Sequence, residues 1–463
     1  MGVRHRLSKL LRVTMTKDEL IDIAAKAADM LSGSPLAGYD VYVRSSRSTS
    51  VEVKSQELDA YEEAETWGIG VRAMLGGGRM GFSYSTGSED AVKHAVDAAI
   101  VCAKSSEPDE YNMFPPPPVP PYPPAEEYDG RVASITEQDK IDRAMAIEKA
   151  ALGFDPRIKR VRKSSASFTE ASWALATSTG IRAASSGTYL GCGIMVVAED
   201  ESGSQMGYDF DYRRREGEID YASVGRNAAL NAVGLLGARK APSGMFPVLL
   251  DNTVASDFLG VLAASFSAES VIKGKSMLAG KVGQEVCANL INIYDDGLLP
   301  GGSGTRPFDD EGVPSRKTPL VAGGRLMGFL HNTYTANRYG AVSTGNAARG
   351  GFRSQPGVGG TNLYLEKGGS TFDELISDIP SGLIVREVLG MHTANPISGD
   401  FSVGVSGHWV EAGKVAYPVK EAAISGNILA VFMGVEALGS DLRFRGRIGS
   451  PSILLKPISV SGS

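Results

Sequence analysis

Five histidines are the first place to look for metal or acid–base chemistry: His5, His94, His331, His392 and His408. No two stand three or four residues apart, the spacing that aligns two ligands on a helix face, and HExxH is absent, which argues against a self-contained zinc peptidase of that type. His94 falls on an amphipathic run and reads as a surface residue. His408, in "SGHWVE", falls on a strand, where a hydrogen-bonded or exposed histidine is the ordinary reading. His331 and His392 flank loops and could meet in space. Carboxylates are densest across residues 294–332, where Asp295, Asp296, Asp309, Asp310 and Glu311 could polarise water or hold a cation. Asp before Gly is also ordinary turn chemistry, and the neighbouring Arg306, Arg316 and Lys317 could pair with these acids to fix a loop. The glycine-rich run of residues 343–362 lacks the GxxxxGK[ST] order and the following helix of a phosphate cradle, so a flexible loop beside a cleft suits it better. No GxSxG elbow supports a serine nucleophile.

In "DNTVASDFLGVLAASF" (251–266) capping residues precede apolar side chains at Val254, Phe258, Leu259, Val261, Leu262 and Phe266. That spacing predicts a helix with a continuous buried stripe and no chemically active group in its middle. Helices are also expected over 17–31, 89–104, 137–153 and 219–236, with strand-like runs clustered between them. The clustering points to an α+β fold: two helix, antiparallel-meander, helix units, a possible duplication, followed by a curved antiparallel β-rich half-barrel. In the last part "EAGK" (411–414) reads as the turn between two alternating strands. "FPPPPVPPYPP" can be neither helix nor central strand and sets a stiff connector. The expected organisation is a disordered extension over 1–14, an α+β domain over 15–113, the linker 114–124, a second α+β domain over 125–241 and the β-rich domain over 242–463.

Composition narrows the function classes. A formal charge of -6 argues against bulk binding of nucleic acid, and the basic runs at 157–165 and 212–218 read as solvated strand faces or ends. No segment approaches the roughly 20 apolar residues of a membrane helix. Three scattered cysteines without a CxxC pair fit a reducing compartment, and a cytoplasmic protein is expected.

The strings "KGKSMLAGKVGQEV", "FDDEGVPSRKTPLVAGGRLMGFLHNTYTANRYGAVSTGNAAR" and "SGLIVREVLGMHTANPISGDFSVGVSGHWVEAGKVAYPVKEAAISGNI" resemble the TldD/PmbA family, and within it the PmbA (TldE) branch. The resemblance implies a cytoplasmic TldD–TldE complex that degrades or processes unfolded and modified peptides, in a family also labelled a modulator of DNA gyrase. In that family the catalytic TldD branch carries HExxxH on the helix before a basic, glycine-bearing loop, and a cysteine near the C-terminus completes a zinc site. Aligning the loop here puts those positions near Leu259, Gly260 and Ala264, and "RFRGRIGSPSILL" contains no cysteine. The resemblance therefore implies a noncatalytic subunit with no cofactor of its own, zinc residing in a TldD-type partner, and a homodimer as an option for the isolated chain. Asp309, Asp310, Glu311, His331, Ser343, Thr344, Gly345, Asn346 and His392 are the candidates for the peptide cleft or the subunit interface. Two rival readings are an independent peptidase, with a metal held by His331, His392 and the acidic loops, and a homodimeric, chaperone-like peptide binder.

Overall fold

The computed structural model describes residues 15–87, 89–117, 121–125 and 127–462, so the expectation for residues 1–14 lies outside the described residues. The first helix, α1 (Lys17–Ser32), starts on a reciprocal cap: the Thr16 hydroxyl accepts from the Glu19 N–H, and the Glu19 carboxylate accepts from the Thr16 N–H. Strands β1 (Gly38–Lys54), β2 (Glu57–Leu75) and β3 (Arg79–Thr86) follow, then α2 (Glu89–Ser105). The order repeats in α3 (Glu137–Leu152), β4 (Ile158–Thr177), β5 (Arg182–Asp200), β6 (Gly203–Arg213) and α4 (Tyr221–Gly234), with Thr136 and Asp139 forming the same cap.

These two units share one antiparallel sheet in the order β3-β2-β1-β4-β5-β6, joined where β1 pairs with β4 from Asp40↔Thr177 to Val53↔Ser164. Alternation along β1 turns Val41, Val43, Val51 and Val53 to one face; α1 and α2 cover the first pair, α3 and α4 the second. The close helix approach is itself repeated. A Cβ on Gly81 of β3 would lie 2.1 Å from the Ala99 carbonyl of α2, and one on Gly207 of β6 would lie 2.3 Å from the Ala228 carbonyl of α4. Each glycine sits between a methionine and an aromatic residue, so the same local solution serves both units. The basic runs lie along β4 and at the end of β6, where Arg160 pairs with Glu199, Lys163 with Glu52 and Arg215 with Glu127.

The rest of the chain begins with β7 (Gly244–Leu250), α5 (Asn252–Ala263) and α6 (Ala268–Ile272). Next come β8 (Ile293–Asp296), β9 (Lys317–Ala322), β10 (Arg325–Leu326), α7 (Thr333–Tyr339), β11 (Ala347–Ala348), β12 (Gly357–Val358) and β13 (Leu363–Leu365). The chain ends with α8 (Phe372–Ser377), β14 (Ser381–Leu389), β15 (Asp400–Glu411), β16 (Lys414–Asn427), α9 (Ile428–Met433), β17 (Val435–Leu438), β18 (Arg443–Arg445), β19 (Ile448–Ser450) and β20 (Ile453–Gly462).

Strands run β16-β15-β14-β7-β20-β17, and β16 also pairs with β20, so the expected half-barrel closes into a five-stranded barrel. One pair within it, β7 with β14, is parallel, because α5 and the long excursion after it return the chain to the neighbouring edge in the same direction. The turn at Ala412 and Gly413 has φ of 47° and 73°, the two positive values of a tight hairpin connection. A second sheet, β10-β9-β8-β13-β19-β18, shares one core with the barrel, and the fully buried Phe258, Leu259 and Leu262 of α5 belong to it. Phe258 meets Phe401 of β15 edge to face, with ring centroids 5.1 Å apart. The other face of the N-terminal sheet packs on this region: Tyr42, Trp173 and Leu175 cluster with Phe308 and Phe352. Gly68 of β2 leaves room for the Phe352 ring, which a Cβ there would meet at 2.4 Å.

Candidate functional site

The acidic triplet lies where the N-terminal sheet meets the C-terminal region. Asp309, Asp310 and Glu311 are buried, with relative exposures of 0%, 7% and 1%. Asp309 Oδ1 accepts from the Glu311 and Val313 N–H groups at 2.9 Å each, and Oδ2 from the Ala347 N–H at 2.9 Å. Burial and the nearby Glu311 push the Asp309 carboxyl up to about 7, while its backbone donors and Arg306 pull the other way. Asp310 accepts from the Arg349 N–H at 2.7 Å, with the Arg306 guanidinium at 3.3 Å. Glu311 accepts from Arg72 of β2 at 3.0 Å and from the Thr333 N–H, at the start of α7, at 2.9 Å. Arg72 and Arg349 both reach Asp40 of β1, at 2.9 Å and 2.6 Å. Burial alone would raise Asp40; the two guanidiniums outweigh it and hold the carboxyl below its usual value. The triplet thus anchors a buried ion network across the two parts of the chain.

His331 and the run Ser343–Asn346 form a second knot. The His331 N–H donates to the Thr344 hydroxyl at 2.7 Å, and its carbonyl accepts from the Ser343 hydroxyl at 3.3 Å and the Thr344 N–H at 3.1 Å. Asn346 donates to Asp295 at 2.7 Å and accepts from the Thr344 hydroxyl at 2.7 Å. Gly345 has φ of 77°, and a Cβ there would lie 2.6 Å from the Pro314 carbonyl. The His331 ring stands edge-on to Tyr339 at 5.5 Å, its Nδ1 without a hydrogen-bond partner, and burial lowers its pKa. The two knots connect through Ala347, which follows Asn346 in the chain: its N–H donates to Asp309 Oδ2 and its carbonyl accepts from the Asp310 N–H. His392 joins neither; it is exposed in a short turn over Met391–Thr393, between β14 and β15.

A cavity of about 500 Å³ opens at the C-terminal end of α5. Ala263, Ala264, Leu330, Leu363 and Ile448 supply apolar walls, the chain from Val358 to Thr361 supplies main-chain edges, and Lys273, Lys275 and Arg447 bring positive charge. Glu269 is the one carboxylate in this lining; it pairs with Lys273 and accepts from the Val358 N–H at 3.3 Å. Leu259 is 0% exposed in the core, Ala264 is at the rim, and the missing Cβ of Gly260 would lie 3.5 Å from Ile448. None of these three side chains offers a donor atom to a metal. Among the described residues no group of three His, Cys, Asp or Glu is placed to hold one. Burial raises the Cys287 and Cys192 thiols to about 12, so neither is a thiolate near neutral pH.

Most of this cavity escapes sequence reasoning, because its walls come from four separated stretches. The visible signals were the lysines of "KGK" and the Gly359-Gly360 pair at the far end of the glycine-rich run.

Three domain profiles of one family match in series: PmbA/TldA metallopeptidase domain 1 over residues 39–103, the central domain over 130–236 and the C-terminal domain over 243–462. The chain belongs to the TldD/PmbA family. Metalloprotease PmbA of Escherichia coli O157:H7 is 26% identical over 464 residues, covering 98% of this chain and 99% of that protein. A Thermotoga maritima crystal structure described as a candidate modulator of a DNA gyrase superposes with a TM-score of 0.88 at 28% identity, over 95% of this chain and 99% of that one. TldE from Thermococcus kodakarensis shares the fold, with a TM-score of 0.85 at 23% identity over 96% of this chain and 99% of its own. No described helix is long and apolar enough to cross a membrane. At the positions where the resemblance expects the zinc ligands and the general base stand Leu259, Gly260 and Ala264, the first of them sealed in the core.

Proposed function

We propose that this chain is the noncatalytic, PmbA/TldE-type member of a two-subunit peptidase of the cytoplasm, whose zinc lies in a TldD-type partner. The observation that carries this reading is the donor-free end of α5 at Leu259, Gly260 and Ala264. In this reading the scaffold is kept and the metal chemistry is delegated. The cavity beside Ala264 then serves to hold an extended, unfolded peptide rather than to cut it. The Val358, Gly359 and Thr361 N–H groups are already bonded to Glu269, Asn346 and Asp295, so the apolar walls take side chains of the peptide and Lys273, Lys275 and Arg447 meet its carbonyls or carboxylates. The buried networks around Asp309–Glu311 and Ser343–Asn346 keep this scaffold rigid behind the cavity.

The test is metal content and cleavage of an unstructured peptide by the purified chain, alone and mixed with a TldD-type subunit. The expected result is no bound zinc and no cleavage alone, with cleavage on mixing. Stoichiometric zinc and activity in the single chain, lost in His392→Ala, would replace this reading with that of an independent peptidase. Saturable peptide binding with no cleavage in the mixture would replace it with that of a stand-alone peptide binder.

A further inference from the structure

A second cavity, of about 440 Å³, opens at the opposite end of α5, between the N-terminal sheet and the barrel. One wall is β6 and α4; the other is the start of α5 with residues of β14, β15 and β18. The lining carries both signs of charge. One pair is already closed: Arg443 donates to Asp209 at 3.1 Å and to the Phe210 carbonyl at 3.2 Å, and Asp209 also accepts from Asn227 at 3.0 Å.

Arg386 and Asp251 form a second, longer pair, and two lining charges have no ion pair among the described residues, Arg445 and Glu387. Among the described residues Arg445 forms no ion pair; its guanidinium lies on the Phe210 ring, 3.9 Å from the centroid, with the Tyr208 hydroxyl as a polar partner. Arg386 leans on Phe372 at 4.4 Å and pairs with Asp251 at 3.7 Å. Glu387 accepts from the Ser406 hydroxyl at 2.9 Å and has no cation within ion-pair distance among the described residues. Asp251 Oδ1 caps α5 by accepting from the Val254 N–H at 2.8 Å, leaving Oδ2 toward Arg386. Burial raises both carboxyls, Asp251 to about 6, so the cations present do not compensate them. His408 Nε2 is 3.2 Å from the Gly234 carbonyl, which assigns the proton to Nε2 and leaves Nδ1 as an acceptor. Burial, then Arg386, lowers its pKa and keeps the ring neutral at pH 7.

A guanidinium and a carboxylate without ionic partners, Arg445 and Glu387, around one space complement a ligand that carries both signs. We propose that this cavity binds a zwitterionic free α-amino acid or dipeptide, its carboxylate on Arg445 and its ammonium on Glu387, with His408 Nδ1 as a further acceptor and the Arg386–Asp251 pair beside them. A simple anion would face Asp251 and Glu387, and an apolar ligand would bury Arg445 and Glu387 without an ionic partner. A metal ion would face the guanidiniums, and no three-ligand group is present among the described residues. The volume lies within the range of small-ligand sites.

Titration calorimetry on the full chain at neutral pH tests the assignment, with leucine and alanyl-leucine as the free zwitterions and N-acetyl-alanyl-leucine and alanyl-leucine amide as blocked forms. At least one zwitterion is expected to bind with Kd below about 1 mM, and each blocked dipeptide at least about tenfold more weakly than the free one if the dipeptide is the ligand. Binding by leucine alone identifies the amino acid as the ligand; leucine amide and N-acetyl-leucine then serve as the blocked forms. Arg445→Gln and Glu387→Gln should each weaken binding about tenfold or more. Each variant's thermal transition is recorded, and Arg386→Gln, at an exposed guanidinium, replaces any variant that fails to fold. No binding of either zwitterion up to about 10 mM overturns the proposal. Equal binding after acetylation, which marks a plain anion site, or unchanged affinity in all folded variants, also overturns it.

Discussion

Replacing Asp40 by Asn probes the network that joins the two parts of the chain. The change keeps the side-chain volume and removes the charge that Arg72 and Arg349 share, at a position 1% exposed. Arg72 keeps Glu311, but Arg349 keeps only the Asp310 carbonyl for its Nε, and its Nη1 already lacks a partner. Breaking one side of a buried ion pair costs about 3–5 kcal/mol, largely because the remaining charge stays desolvated. With a urea dependence of about 3 kcal/mol/M, the unfolding midpoint should fall by about 1–1.7 M. Trp173 in the N-terminal sheet and Trp409 in the barrel are both buried, so fluorescence follows both sides of the junction. Adding Arg349→Met should recover part of the loss, giving a coupling energy of about 2 kcal/mol or more. The pH dependence has a fixed sign. The folded pKa of Asp40 is depressed, so its contribution is complete above its unfolded value near 4 and is lost as pH falls through the folded value. The gap between wild type and variant should therefore narrow in acid. A midpoint shift below about 0.3 M, or a coupling below about 0.5 kcal/mol, would refute the argument that this network is a stabilising joint.

Leu259→His should bind no zinc and should lower stability by about 2–4 kcal/mol, since the side chain is sealed in the core; zinc titration and thermal melting check both parts. Ala412 holds φ of 47° in a hairpin turn, so Ala412→Asn should raise stability by about 1 kcal/mol in urea unfolding, and a loss would contradict the turn assignment. Burial lowers the His331 pKa below its unfolded value of 6.5, so wild-type stability should decline as pH drops below that value, because the unfolded chain takes up a proton that the folded one refuses. His331→Gln should lose that part of the decline, which parallel unfolding curves at pH 7.5 and 5.5 would reveal.

Local rules recovered the helices well, because their determinants are neighbours in sequence. Thr16 and Glu19 close the start of α1 within four residues, and Asp251 caps α5 three residues ahead. The helix expected over 219–236 is trimmed to Tyr221–Gly234, since Asp220 rather than the preceding apolar residue accepts from the Ser223 N–H. The closure of the barrel was less legible. It depends on β16 finding β20 over Ala422–Ser425, a pairing to which the alternation of either strand alone is indifferent. The acidic run shows the limit most plainly. Whether Asp309–Glu311 hold a cation, face a groove or lock a joint turned on Asp40, Arg72 and Arg349, and Arg349 lies 309 residues from Asp40.

The sequence by itself determined what three positions cannot do: residue identity is local, and no folding of Leu259, Gly260 and Ala264 gives their side chains a metal donor. The α+β class and the family resemblance followed from patterns of the same local kind. Only the tertiary structure decided which charges are closed into pairs, as in the Asp40 network, and which remain open around a cavity, as with Arg445 and Glu387. The physical reason is that a charged group's state depends on its burial and its neighbours. Those neighbours come from segments that meet only when the sheet, the barrel and α5 pack together.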